Sequence, residues 1–414
     1  MAADVQLLCL ASSSGVPLYC RSKGRCRQLP FSVIGSLNGV HMFGSNQDVL
    51  LTSTCTENAR VFWRVFHDSI TLIVMTSQVD ASDLYLSRLL HNVFSSMVLL
   101  IGQDDLVNIK NVERLKRDLR SCYKLIDGFL SATEGVGDLT QSVGCVLVTD
   151  SERLQEALDA FVAAADSHFG CLMVAGKMVV ATAKWWRLEA QEVMLLAWLV
   201  ASLPPSSSRD YPIYLPHGSP TVPHRLLTFQ LLPGLEVCLL CGPAPSLEHV
   251  HTQLVARYWS PELEMLKGCV RAHQRSVPHS MPLHQSILGF LLINTEQNKN
   301  LFTLQPHGSE DSSLQALPIE RRECILRSFY SLAVSTYFPV ESGEQEPVAL
   351  REDFAAGFSH TAVECYVAAE DHKCYGLQSR QHQLFVLFTP IVPTFALRHI
   401  ATKTLTLLTK EVSF

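Results

Sequence analysis

A chain of 414 residues is too long for one hydrophobic core; at roughly 100 to 200 residues per domain it should divide into two to four, and three are expected. With 47% hydrophobic and 17% charged residues it has ample apolar material to fill those cores, which excludes a disordered chain. Its 33 Lys and Arg against 39 Asp and Glu leave a net charge of -6, so there is no chain-wide attraction for nucleic acid or anionic lipid, and no nucleic-acid partner is expected. The 13 Cys are sparse and odd in number, which fits reduced, buried thiols rather than a secreted disulfide scaffold. MAADVQLLCL lacks a basic stretch before its short apolar run and does not read as a signal peptide. The longest apolar run, VMLLAWLVA at 193–201, is short of the ~20 residues that cross a bilayer. Neither end carries a lipidation motif, so a cytoplasmic protein is expected.

In chain order, VQLLCLA (5–11) and VPLYC (16–20) flank SSSG and predict a β-hairpin. LPFSVIGSLNGVHMFG follows, with Pro30 in the first turn of a helix and Val33, Leu37 and Val40 at helical spacing, expected to face the sheet. Runs at 49–55, 60–66 and 70–76 are rich in Val, Ile, Phe and Thr and predict three strands. DASDL then caps a helix whose stripe is Leu86, Leu90, Val93, Met97 and Leu100.

The same order recurs twice. FGCLMVA and KMVVATA turn at Gly176, a helix covers 189–201, strands fall at 210–215, 225–232 and 235–241, and Ser246 caps a closing helix. Strands at 286–294 and 300–304, a helix at 317–336, strands near 362–369, 373–378 and 383–389, and a helix from Thr394 make the third copy. The fold class is therefore α+β: three tandem domains at 1–133, 141–273 and 283–414, each an antiparallel sheet flanked by helices. Linkers are expected at 134–140 and 271–282, and a long loop at 341–347.

Catalytic chemistry is hard to find. FGCLMVAGKM has five residues between its glycines and Met178 where a P-loop needs Ser or Thr, so it reads as a hairpin. His249 and His251 are two apart on a helix and cannot share a metal. His217 and His224 stand in a Pro-rich loop, and Asp371, His372 and Cys374 in a strand turn, as minor catalytic candidates. Cys238 and Cys241 form a C-x-x-C spacing, but on an extended strand they are about 10 Å apart and point to opposite faces, which excludes a shared zinc or a disulfide. Two basic clusters, Arg21, Lys23, Arg25 and Arg27, and Lys110, Arg114 and Arg117, read as solvated surfaces, with a Glu113–Arg117 pair expected on the second. No catalytic residue, cofactor or metal site is expected, and the chain is not read as a covalent catalyst.

Two strands, a helix, three strands and closing helices resemble the longin domain, and three copies resemble the tri-longin family of Rab exchange-factor subunits. The segments LPFSVIGSLNGVHMFG, FHDSITLIVMTS, NVERLKRDLR and DYPIYLPHGSPTVPHRLLT are similar to those of its planar cell polarity effectors. The resemblance covers nearly the whole chain and is weakest near 339–382. It implies a heterodimer with Inturned and assembly with Wdpcp and other CPLANE subunits. It further implies nucleotide exchange on a Rab-type or Rab-like small GTPase and peripheral membrane contact. A place at the cytoskeleton and the ciliary base or basal body follows from it, with roles in ciliogenesis, protein transport to cilia, Hedgehog signalling and development. In that family the helix after the first hairpin lies near the GTPase platform; here it is 31–43, and Ser36, Asn38 and His41 are the expected partner-binding residues on its outward side. Two other readings stay open: a scaffold or effector that binds an active small GTPase without exchanging its nucleotide, and a ligand-binding sensor of related shape.

Overall fold

The computed structural model describes residues 4–24, 29–78, 81–131, 136–307, 317–338 and 362–410. The chain forms two compact units, Met1–Gly144 with Val148–Arg271, and Cys145–Leu147 with Ala272–Phe414.

The first unit holds two sheets. Strands β1 (Val5–Ala11), β2 (Pro17–Lys23), β3 (Ser53–Cys55), β4 (Arg60–Phe66) and β5 (Ile70–Thr76) form an antiparallel sheet of order β2-β1-β5-β4-β3, with helix α1 (Phe31–Ser45) between β2 and β3 in the chain. Helices α2 (Asp83–Ile101) and α3 (Tyr123–Ser131) follow. Ser82 caps α2 by accepting from the Tyr85 amide, which satisfies one of the donors that a helix start leaves open. The second sheet, preceded by α4 (Ser151–Ala164), has β6 (Phe169–Val174), β7 (Lys177–Ala181), β8 (Ser208–Leu215), β9 (Ser219–Leu232) and β10 (Leu235–Cys241) in the order β7-β6-β10-β9-β8, with α5 (Ala190–Ser202) after its first hairpin.

The second unit repeats the plan. Its strands β11 (Ile287–Asn294), β12 (Lys299–Thr303), β13 (Glu364–Ala368), β14 (Lys373–Gln378) and β15 (His382–Phe388) lie in the order β13-β14-β15-β11-β12, with α6 (Ile319–Thr336) after the hairpin and α7 (Thr394–Lys410) closing it. At the β12 edge the Cys145 amide donates to the Asn300 carbonyl at 2.8 Å. Numbered within each copy, all three sheets have the order 2-1-5-4-3, so the repeat expected from the sequence is topological as well as sequential. Each first hairpin turns through left-handed residues: Gly15, Ala175 with Gly176, and Asn298.

Several expectations change. The 49–55 run pairs only at Ser53–Cys55. Helix α2 proves long and apolar enough to span a bilayer by length and composition, yet 67% of its most apolar window is buried in this protein, as befits a core helix. The expected linkers are packed: Gly137–Thr140 is a helical turn with Asp138 and Leu139 buried, and in 271–282 Arg275 and Ser276 are buried, donating to the Pro306 and Phe302 carbonyls at 2.6 and 2.7 Å. Hydrogen bonds to backbone carbonyls make the polar side chains of 271–282 buriable. The 341–347 loop lies outside the described residues.

Candidate partner-binding site

Most of the catalytic candidates take structural places, while His224 on β9 keeps a buried Nε2 with no hydrogen-bond partner among the described residues. FGCLMVAGKM is the β6–β7 hairpin. Cys238 and Cys241 are both buried on extended β10, where Cys238 lies opposite Cys171 and Cys241 opposite Arg225. His217 sits in the β8–β9 turn, pinned rather than free: Glu192, only 1% exposed, accepts from the His217 and Gly218 amides at 2.7 and 2.8 Å, and His217 Nε2 lies 2.7 Å from Gln191 Oε1. Asp371 and His372 do pair at 2.6 Å, but burial pushes the nearby Cys374 thiol up to about 12, the wrong direction for a nucleophile. Among the described residues no group of three or more His, Cys, Asp or Glu is placed to hold a metal ion.

In each basic cluster one arginine is held by an ion pair, Arg21 to Asp127 and Arg114 to Asp118. Arg21 donates to Asp127 through Nε at 2.8 Å and through a second nitrogen, and its guanidinium lies 4.6 Å from the Tyr123 ring centroid. Arg25 and Arg27 lie outside the described residues. On Val112–Asp118 the ion pairs are Glu113–Lys116 and Arg114–Asp118, in place of the expected Glu113–Arg117, and Lys110 precedes the helix.

Helix α1 is different. It starts after Pro30 with no side-chain cap and contains no fully buried residue. Ile34 and Leu37 pack on the cluster Leu8, Leu10, Val61, Trp63 and Ile73, and Asn38 and His41 continue this half-buried stripe. Of the expected sheet-facing set, Leu37 does face the sheet, whereas Val33 and Val40 are off by about one residue of rotation and are 37% and 56% exposed. The cause is visible in the sequence, since apolar residues occur on more than one side of this helix and the 3.6-residue period fits two settings. Only Ser36 of the three expected partner-binding residues is exposed, its hydroxyl donating to the Ser32 carbonyl at 2.9 Å. Asn38 instead covers the first hairpin turn, where a Cβ on Gly15 (φ +65°) would meet Asn38 Nδ2 at 2.3 Å. His41 is desolvated enough that its pKa falls below the usual histidine value.

Among small and polar residues, α1 also presents large apolar side chains outward. Phe31, Val40, Met42 and Phe43, with Val49 and Leu50 just beyond, are exposed large side chains in one short stretch. Sequence reading missed them because Val40 had been assigned to the core. Isolated exposed apolar side chains are ordinary, whereas a run around one helix is the feature expected of an interaction surface.

The second copy displays the covered state. Helix α5 stands at the same point in the 2-1-5-4-3 order as α1, yet Leu195, Leu196, Leu199 and Val200 are all buried. Helices α2 and α3 of the same unit reach it: Phe129 stacks on Trp198 at 4.7 Å, and Gln191 Nε2 donates to Asn92 Oδ1 at 2.8 Å. In the third copy α6 exposes mainly polar residues, including Glu320, Arg321 and Ser328. Among the described residues α1 carries the denser run of exposed large apolar side chains, Phe31, Val33, Val40, Met42 and Phe43, against Ile319 and Leu332 on α6.

Comparison with known proteins places this geometry. Residues 5–129 match the model of the first longin domain of FUZ, MON1 and HPS1, residues 165–260 that of the second, and residues 286–412 that of the third. The protein fuzzy homolog of Xenopus tropicalis is 62% identical over 415 residues, spanning 100% of this chain and 99% of that protein. The protein fuzzy homolog of Homo sapiens is 51% identical over 98% of this chain and 97% of its own length, and that of Mus musculus 50% identical over 98% of each. The chain belongs to the fuzzy family of triple-longin proteins.

Proposed function

We propose that this chain is a longin subunit that works without catalytic side chains, pairing with Inturned to act as a guanine-nucleotide exchange factor for a Rab-type small GTPase. The observation that carries the reading is the exposed apolar surface of α1 in the first longin copy. Exchange needs no nucleophile or general base; it needs a surface that binds the nucleotide-free GTPase better than the nucleotide-bound one. A partner or GTPase docked on α1 would bury Phe31, Val40, Met42 and Phe43 as α2 and α3 bury α5 in the second copy. Ser36 lies within that contact, while Asn38 and His41 support it from the sheet side.

The same reading puts the protein in the cytoplasm and at the cytoskeleton of the ciliary base. There it would join Wdpcp and other CPLANE subunits, with contact to a membrane surface, in planar cell polarity, ciliogenesis, ciliary transport and Hedgehog signalling. Purified chain with Inturned should accelerate GDP release from at least one member of a Rab panel. Absence of acceleration across the panel removes the exchange activity, and selective binding of a GTP-loaded GTPase in the same samples would establish the scaffold or effector role in its place.

A further inference from the structure

We infer that α1 is a strap that leaves the first sheet and unfolds locally as a unit in the free chain and is seated when its outer face is occupied. Its inner face offers little to hold it: Ile34 and Leu37 are only half-buried, and the helix has neither a fully buried residue nor a side-chain cap. Gly35 and Gly39 lie within it, each with nothing inside 4 Å of where a Cβ would stand, so neither is required by packing and each weakens the helix. Beneath the helix Trp63 is 3% exposed, and its indole N–H has no hydrogen-bond partner among the described residues, a donor that opening would return to water.

Helix α5 is the internal control. At the same place in the fold it has a capping box from Glu189 and Glu192 and an interior run of buried residues. An occupant that bridges α1 and the exposed Val49 and Leu50 beyond it gains both sets of contacts together only with the helix seated, so its binding shifts the equilibrium to the closed form. That consequence rests on the docking role proposed above, whereas the opening itself belongs to the chain alone.

Amide hydrogen exchange on the full-length chain tests it. Residues 31–45 should exchange at least about a hundredfold faster than residues 190–202. The double substitution Gly35→Ala, Gly39→Ala should slow exchange in 31–45 by roughly twentyfold, about four- to fivefold for each helical glycine replaced, and leave 190–202 unchanged. Leu37→Ala should speed exchange in 31–45 alone. Protection of 31–45 equal to that of 190–202, or insensitivity of 31–45 to both changes, overturns the inference. Fast, glycine-sensitive exchange combined with unimpaired partner binding by outer-face variants would uphold the strap and remove the docking role.

Discussion

Phe129 and Trp198 stack with ring centroids 4.7 Å apart and planes 20° from parallel, joining the last helix of the first longin copy to the central helix of the second. Phe129 is fully buried, and Gly128 beside it lies under the same indole, where a Cβ would sit 3.9 Å from the ring. Through this contact α5 of the second copy gains the cover that α1 lacks.

Truncating that contact should therefore be costly. Phe129→Ala is expected to destabilise the first unit by about 3–5 kcal/mol, the usual range for removing a buried aromatic ring. Chemical denaturation followed by near-ultraviolet circular dichroism measures it. A loss under 1 kcal/mol would mean that the ring is not an anchor.

Charge placed on the α1 outer face should act in the opposite way. Phe43 is 70% exposed, so Phe43→Glu is expected to change stability by no more than about 0.5 kcal/mol while abolishing capture of the partner. Thermal melts beside a pull-down with Inturned separate the two effects.

The cysteines predict both a labelling pattern and a pH dependence. Cys55 and Cys324 are exposed and should react with a thiol reagent in the native chain, whereas Cys9, Cys122, Cys171 and Cys238 are buried and should react only on unfolding. Burial pushes the Cys122 thiol from its ordinary 9.0 up to about 12. A folded pKa above the unfolded one stabilises fully below the unfolded value, so this contribution is present below about pH 9 and is lost as pH rises toward 12. Denaturation at stepped pH should show Cys122→Ala losing stability less steeply than the parent over that window, by up to about 1.4 kcal/mol per pH unit.

Strand and helix order was legible because hydrophobic period and turn chemistry agree along this chain. Gly176 marks a hairpin, Ser246 accepts from the His249 amide through its hydroxyl oxygen as a cap, and the strand over 235–241 accounts for the C-x-x-C spacing. The setting of α1 was not legible to within one residue, since Val33 and Ile34 are both apolar and only tertiary contact with Trp63 and its neighbours decides which turns inward. Glu192 was equally hidden. Nothing local in AQEVMLLAW says that this carboxylate is buried; its acceptors are satisfied by His217 and Gly218 amides more than twenty residues away.

The most direct test of the central claim is the rate of GDP release across a Rab panel, measured with Inturned added to either the parent chain or Phe43→Glu. The account predicts acceleration by the parent and release at the unassisted rate with the folded variant. Equal acceleration by both would show that the outer face of α1 is not the working surface.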